Sequence, residues 1–209
     1  MGAITISRQM GSGGDELAGQ VAQRLGWRQA SRDLINQAAA AAGVPQVALA
    51  VLDEMGFFGL RPSARDWRAY LSQVERIIRE LADAGDVVIV GRGGQAVLRD
   101  RAGVLHVRVV APLEARVARL EVEKTLCPDS ARACLEASDR ARARFMQRSH
   151  GLRLDDPTLY HLVINTGLVP LPRAVSLVVE ACQALAGAAA HPPVVAARTG
   201  EAPADDPCL

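Results

Sequence analysis

The chain has 209 residues, of which 49% are hydrophobic, 22% charged and 3% aromatic, and its formal net charge is +1. This composition excludes an intrinsically disordered protein and predicts one globular domain, or one domain with an inserted lobe. Since bulk electrostatic binding to nucleic acid requires a strongly basic surface, we expect no nucleic-acid partner.

Cysteine spacing and hydropathy indicate the cellular compartment of the protein. The four cysteines, at 127, 134, 182 and 208, form no C-x-x-C pair and have no histidines at metal-binding spacing. We therefore expect reduced thiols in a cytoplasmic protein. No apolar run reaches the roughly 20 residues of a membrane helix, and no signal-peptide pattern precedes the first predicted strand. We accordingly expect no membrane contact.

The N-terminal stretch is typical of a phosphate-binding unit. Residues 4–8 predict a β-branched strand, residues 11–14 a glycine-rich turn, and the following residues a helix with one apolar stripe. Glycines allow backbone amides to turn toward an anion, and the helix N-terminus adds free donors. We therefore expect nucleotide phosphates to bind at Gly11, Ser12, Gly13, Gly14 and Asp15.

This loop departs from the phosphate-loop pattern G-x-x-x-x-G-K-S/T. Arg8 stands where the first glycine belongs, Gly14 where the lysine belongs and Asp15 where Ser or Thr belongs, and Lys124 is the one lysine of the chain. We predict that Arg8 supplies the missing catalytic cation and that Asp15 reaches Mg²⁺ through a carboxylate oxygen. The alternatives are an exposed Arg8 and an Asp15 that only complements the helix dipole.

The rest of the chain alternates helices with apolar strands. Periodicity predicts strands at 86–90, 105–110 and 162–165, a loop at 56–63, and helices at 31–42, 45–55, 64–84, 113–126, 130–147 and 172–186. This alternation predicts a parallel α/β sheet with right-handed crossovers. The Ala-, Pro- and Asp-rich residues 187–209 predict a disordered tail.

Residues 91–96 follow the buried strand at 86–90 and match the dinucleotide-binding variant G-x-G-x-x-A. The match is weak, because the segment before the next strand is too short for a full crossover helix. The preferred interpretation is that Arg92 projects from the carboxyl edge of the sheet and meets an acceptor phosphate.

Arginines at 140, 142, 144 and 148 lie on the helix predicted at 130–147 or just beyond its end. Phosphoryl transfer needs mobile cations that close over the developing charge, so we predict catalytic roles for Arg140, Arg144 and Arg148. The alternative is a solvated helix face. We expect Asp139, beside them, to orient a guanidinium.

Together, these features resemble the cytidylate kinase-like branch of the P-loop nucleoside-monophosphate kinases. The resemblance spans roughly residues 3–185 and keeps the family's order. It rests on residues 4–8 with 11–14, then 32–35, 88–93, Ala111-Pro112 with Glu114 and Arg116, Asp139-Arg140 with Arg144, Asp156-Pro157 with Tyr160, and Leu162 with Asn165-Thr166.

The resemblance implies a P-loop three-layer α/β/α domain over residues 1–186, with a helical acceptor lobe at about 29–85 and an arginine-bearing lid at about 125–155. It further implies an acceptor site at Arg32, Asp33 and Arg92. The implied reaction transfers the γ-phosphoryl of ATP, with Mg²⁺, to a nucleoside monophosphate such as CMP. Gly93 replaces the acid of the family's G-R-D triplet, and the base-recognition residues do not carry over. The alternative is a weakly active or inactive nucleotide-binding regulatory module, which the missing lysine favours.

Overall fold

A computed structural model describes residues 2–41 and 63–189 of the chain. Within them lie five strands: β1 (Ala3–Arg8), β2 (Arg28–Ala30), β3 (Val87–Val90), β4 (Val104–Val110) and β5 (Leu162–Asn165). The α-helices of this part are α1 (Gly14–Leu25), α2 (Arg32–Ala41), α3 (Ala64–Ala84), α4 (Gly94–Val97), α5 (Leu113–Lys124), α6 (Pro128–His150) and α7 (Leu171–Ala189).

The strands form one parallel sheet in the order β2-β3-β1-β4-β5. Side chains alternate between its two faces, as β3 shows. Val88 and Val90 pack with α1 and α7, whereas Val87 and Ile89 pack with α2 and α3. The predicted three-layer α/β/α architecture is therefore confirmed.

Because every strand is parallel, the carboxyl ends of the central strands meet at one edge of the sheet. There β1 leads into the glycine loop (residues 9–13), β3 into the turn at 91–93, and β4 into Ala111 and Pro112. In open α/β sheets this edge is where ligands bind, and here it brings the segments singled out in the sequence together.

Several elements differ from prediction. Strand β2 was missed, because its three residues carry two exposed side chains and its pairing runs to β3 alone. Helix α7 continues to Ala189, past the predicted end at 186. The helix predicted at 45–55, most of the loop at 56–63, and residues 190–209 of the predicted tail lie outside the described residues. The lobe and lid boundaries remain predictions.

Two further observations concern the described residues. Helix α4 has four residues, so it cannot act as a crossover helix of a dinucleotide-binding unit. Across residues 2–41 and 63–189, no helix has the length and apolar character needed to cross a bilayer.

Candidate functional site

The glycine loop between β1 and α1 turns through two glycines in the left-handed region. Gly11 and Gly13 both have φ of 71°, and Gly13 is the N-cap of α1. The first helical hydrogen bond runs from Leu17 N to Gly13 O at 2.9 Å. The amides of residues 14–16 therefore have no acceptor within the helix, and the positive end of the α1 dipole lies at the same place.

The carbonyl side of this loop is held by neighbouring elements. Three successive carbonyl oxygens accept hydrogen bonds: Met10 O from Arg116 (3.5 Å), Gly11 O from Arg119 (3.2 Å) and Ser12 O from the Thr166 hydroxyl (2.6 Å). In a trans peptide the N–H points opposite to the C=O, so the amides of Gly11 and Gly13 point away from these donors. The backbone half of an anion site is thereby fixed in place.

Arg8 fills the space that a side chain at position 14 would need. A Cβ atom placed on Gly14 would lie 2.4 Å from Arg8 Cβ and 2.9 Å from Arg8 Cγ. The Arg8 guanidinium pairs with Asp15, Nε to Oδ1 at 2.9 Å, and its Nη1 would lie 2.6 Å from a Cβ on Gly91. Arg8 thus runs from the loop to the end of β3 with 10% of its side chain exposed, and glycine at 14 and 91 makes room for it.

A cavity of about 480 Å³ opens between the sheet edge, α3 and the second half of α6. Among the described residues its lining holds six arginines and neither Asp nor Glu; the arginines are Arg8, Arg32, Arg92, Arg142, Arg144 and Arg148. Guanidiniums bind phosphate and carboxylate oxygens bidentately, so this lining favours an anionic ligand.

Arg92 is held in an uncommon backbone conformation at the cavity wall. Its φ is 53°, between Gly91 at 77° and Gly93 at 73°. Non-glycine residues in this region are uncommon and concentrate at functional sites. Burial raises the pKa of the Tyr70 phenol, and the nearby charges of Arg92 and Arg32 partly oppose that shift. Two of the predicted acceptor residues therefore act electrostatically on the same buried phenol.

Helix α6 covers the cavity and touches both of its sides. Arg142 donates a hydrogen bond to the carbonyl oxygen of Arg8. The Arg148 guanidinium lies 4.4 Å from the centre of the Trp67 ring, and Phe145 packs edge-on against the same ring at 6.0 Å. The helix therefore lies against the loop at one point and against α3 at another.

The turn at 91–93 also receives a side chain from α6. A Cβ placed on Gly93 would lie 2.6 Å from His150 Nε2, so the imidazole occupies the place of a side chain at 93. Burial lowers the pKa of His150, with the Glu75 carboxylate acting in the opposite direction. The acid of the G-R-D triplet is replaced by glycine here, and the imidazole takes its space.

The structure brings most of the predicted site residues together. Arg8, Arg32, Arg92, Arg144 and Arg148 line the cavity. None of the predicted phosphate-binding residues 11–15 is in its lining, and Arg8, which packs against Gly14, connects their loop to the cavity. Arg140 and Asp33 do not line it. Arg140 pairs with Glu136 at 3.5 Å with 62% of its side chain exposed, and Asp33 pairs with Arg32 at 3.3 Å with 73% exposed.

Two further contacts involve residues singled out in the sequence. The guanidinium that Asp139 orients is that of Arg116 on α5, at 2.9 Å. The buried Ser12 hydroxyl donates to Gln9 O at 2.8 Å within the turn itself.

Sequence reasoning assigned no role to several residues that the structure brings to the site, namely Arg142, Arg119, Thr166 and Trp67. Arg142 was present in the arginine series, and Thr166 was among the features of the resemblance. Trp67 has no signal of its own in the sequence, because a single sequence does not show that an arginine stacks on its ring. Nothing in the sequence pairs Arg119 with the glycine loop.

Residues 3–168 match the family described as the cytidylate kinase-like family. The chain belongs to this family. That membership makes it a nucleotide-binding, kinase-like protein of the P-loop class.

Solved structures agree with this membership at the level of fold. An uncharacterized protein from Eubacterium ventriosum superposes with a TM-score of 0.70 at 17% identity, over 88% of this chain and 99% of that one. A gluconokinase from Sinorhizobium meliloti gives 0.54 at 17% identity, over 90% and 95%. A shikimate kinase from Acinetobacter baumannii, in complex with shikimate, gives 0.52 at 12% identity, over 88% and 94%. At these identities the likeness shows the fold alone.

One curated protein also matches in part. A uronate isomerase from Corynebacterium glutamicum is 34% identical over 104 residues, which cover 50% of this chain and 20% of that protein. The chain thus spans about a fifth of this relative's length, and isomerase activity does not carry over to this member of the cytidylate kinase-like family.

Proposed function

We propose that the protein transfers the γ-phosphoryl group of ATP to a nucleoside monophosphate, with CMP the first acceptor to test. The observation that carries this proposal is the arginine cavity beside the glycine loop. The glycine loop offers backbone amides to a polyphosphate, and the cavity offers guanidiniums to a second anion.

The donor phosphates are assigned to the loop at Gly11, Ser12, Gly13, Gly14 and Asp15. Support comes from the fixed carbonyls of this loop and from the unpaired helical amides of residues 14–16. Arg8 takes the part of the absent lysine. Its stem already lies over Gly14, and its guanidinium reaches toward Gly91, between loop and cavity.

The acceptor phosphate is assigned to the side of the cavity formed by Arg32 and Arg92. Both line the cavity, and the 91–93 turn that holds Arg92 follows directly from β3. Asp33 is exposed and is assigned the positioning of Arg32, with which it forms an ion pair at 3.3 Å.

The lid arginines are assigned to the transferring phosphoryl group. Arg142, Arg144 and Arg148 reach the cavity from α6, so they are placed to stabilise charge on the equatorial oxygens as transfer proceeds. Arg140 has no such place, because its side chain is directed to solvent.

The family implies Mg²⁺ bound with ATP, and the loop offers it one carboxylate. Asp15 has 70% of its side chain exposed, and its Oδ1 accepts a hydrogen bond from Arg8 Nε. In residues 2–41 and 63–189 no cluster of three or more His, Cys, Asp or Glu forms a metal site. Mg²⁺ commonly keeps its waters and substrate phosphates beside one carboxylate, so Asp15 fits a water-mediated contact. The ion would neutralise phosphate charge, while the arginines orient the acceptor.

A panel of nucleoside monophosphates with ATP and Mg²⁺ tests the proposal directly. We expect conversion of at least one monophosphate to its diphosphate, with ADP formed in equal amount. Arg144→Ala should lower the rate, whereas Arg140→Ala should not. Formation of no diphosphate from any monophosphate would overturn the proposal.

A second candidate function is a nucleotide-binding module without turnover. The replacement of the P-loop lysine by Gly14 favours it. Isothermal titration separates the two candidates, because ATP binding without product formation indicates the module.

A further inference from the structure

We infer that Arg116 is a positioning residue that couples docking of helix α6 to the geometry of the glycine loop. The expected change in ATP affinity rests on the proposed function. The expected change in loop exchange does not, because it is measured without nucleotide. Arg116 and Asp139 are among the residues that carry the family resemblance, whereas the link between lid and loop rests on the contacts of Arg116 in the structure.

Arg116 is a buried cation with partners in three different segments. It has 4% exposure. Its Nε donates to Ala111 O at 3.1 Å, Nη1 to Met10 O at 3.5 Å, and Nη2 pairs with Asp139 Oδ2 at 2.9 Å. These partners follow β4, lie in the glycine loop, and lie on α6, respectively. A single guanidinium therefore joins sheet edge, loop and lid.

The carboxylate of Asp139 is the charged partner in this set. Arg116 is buried, whereas Asp139 has 31% of its side chain exposed, so removing Asp139 leaves a buried guanidinium without its carboxylate, which is unfavourable. Without Asp139 the guanidinium gains by turning toward water, and its bonds to Met10 O and Ala111 O are then weakened.

The loop also depends on Arg116 through close packing. A Cβ placed on Gly11 would lie 3.1 Å from Arg116 O and 3.2 Å from Arg116 Cβ. The loop and the start of α5 are therefore in direct contact, so a displacement of Arg116 is transmitted to the loop rather than absorbed by a gap.

Helix α6 reaches the loop a second time one turn further on. Arg142, three residues after Asp139, donates to Arg8 O, where β1 enters the loop. The same face of α6 thus contacts the loop at its beginning and, through Arg116, in its middle. Lid docking and loop geometry must then stabilise each other, which is the reciprocity that coupling requires.

The molecule provides a matched control in a second ion pair between α5 and α6. Arg132 pairs with Glu114 at 2.7 Å, with side chains 41% and 74% exposed. Like the Arg116–Asp139 pair, it joins the two helices. Among the described residues, however, neither of its side chains hydrogen-bonds to the glycine loop. A surface pair of this kind contributes little to stability.

The first experiment compares Asp139→Asn with Glu114→Gln without nucleotide, using hydrogen–deuterium exchange of the loop peptide at 9–14. Asp139→Asn should raise loop exchange at least about fivefold, the lower end of measured couplings, and Glu114→Gln should leave it unchanged. Equal loop exchange in the two variants would overturn the coupling, whatever the protein binds.

The second experiment measures ATP affinity by isothermal titration. Asp139→Asn should weaken binding at least about fivefold, and Asp139→Glu should restore most of it because the carboxylate is kept. Thermal melts show whether each variant is folded. If Asp139→Asn is not, Arg116→Lys replaces it, because lysine keeps the charge opposite Asp139 but cannot reach Met10 O and Ala111 O at the same time. Its loop exchange should then exceed that of Glu114→Gln, and equal exchange would overturn the coupling. If the wild-type protein binds no ATP, the proposed function fails while the exchange result still decides the coupling.

Discussion

Two strand–glycine–helix units lie side by side at the carboxyl edge of the sheet. In the first, β1 leads through Gly13, with φ of 71°, into the twelve residues of α1. In the second, β3 leads through Gly93, with φ of 73°, into the four residues of α4. The N-cap conformation is nearly the same, yet the two units present different chemistry to a ligand.

The difference lies in helix length and in what occupies the turn. The twelve-residue α1 brings free amides and a developed dipole to its N-terminus, whereas a single turn has almost none. The second unit instead presents a side chain, Arg92, held at φ of 53°. We therefore propose that a glycine turn before a helix binds phosphate through its backbone in the first unit and through an arginine in the second.

The largest expected effects are on activity, and they differ between the two units because each unit serves a different ligand. Arg8→Ala should lower turnover about 100-fold, the loss typical of removing one transition-state donor. Arg92→Ala should raise the KM for the acceptor and leave the Kd for ATP within about twofold, because its cation serves the other anion. Titration calorimetry and steady-state kinetics measure both, and identical changes in the two variants would contradict the division.

The next effect concerns crowding at the first residue of each helix. Gly14→Ala should destabilise the protein by about 1–3 kcal/mol, because its Cβ would lie 2.4 Å from Arg8 Cβ. Gly94→Ala should be milder, since its nearest neighbour is Thr5 Cγ2 at 3.2 Å. Denaturant unfolding measures both. The double variant Arg8→Gly with Gly14→Ala should recover most of the loss, and failure to do so would show that Arg8 is not the cause.

A smaller difference is expected between the two N-cap glycines. Gly13→Ala should destabilise by about 1 kcal/mol from its left-handed backbone alone, as its nearest neighbour is 3.7 Å away. Gly93→Ala should exceed this, because His150 Nε2 would lie 2.6 Å from the new Cβ. Adding His150→Ala should bring the two variants to the same unfolding free energy.

The smallest expected effect is the pH dependence that His150 adds at the second unit. The folded-state pKa of His150 lies below its usual value, so below pH 6.5 the unfolded chain binds more protons and stability falls as the pH falls. His150→Gln should flatten this slope in denaturant titrations below about pH 6.5. The buried His106, with its pKa lowered to about 4, contributes a slope of the same sign and remains in the variant as an internal reference. An unchanged slope in His150→Gln would contradict the assignment of this pH dependence to His150.

Much of the fold followed from local patterns. Continuous apolar runs such as residues 87–90 predicted strands buried on both faces, and α3 appears at its predicted bounds of 64–84. Helix ends were less certain: α6 begins at Pro128 and ends at His150, beyond the predicted 130–147. Strand β2 was missed because three residues with exposed side chains have no pattern of their own, and its pairing with β3 is non-local.

The candidate site was predictable in its residue types but not in its geometry. The arginines at 8, 32, 92, 144 and 148 were all named from the sequence, and they line one cavity. The sequence analysis assigned a catalytic role to Arg140 and none to Arg142, whereas Arg142 lines the cavity and Arg140 does not, because the direction that α6 gives each side chain is not visible in the sequence. The structure directs one toward Arg8 O and the other toward Glu136.

The sequence by itself determined the glycine loop, the absence of a lysine near it and the supply of arginines, because these are properties of residue type and short spacing. Tertiary structure alone decided that the stem of Arg8 lies over Gly14, that His150 occupies the space beside Gly93, and that Asp139 serves Arg116 rather than an arginine of its own helix. These contacts join residues distant in the chain, and their geometry depends on how sheet, loop and helices pack together.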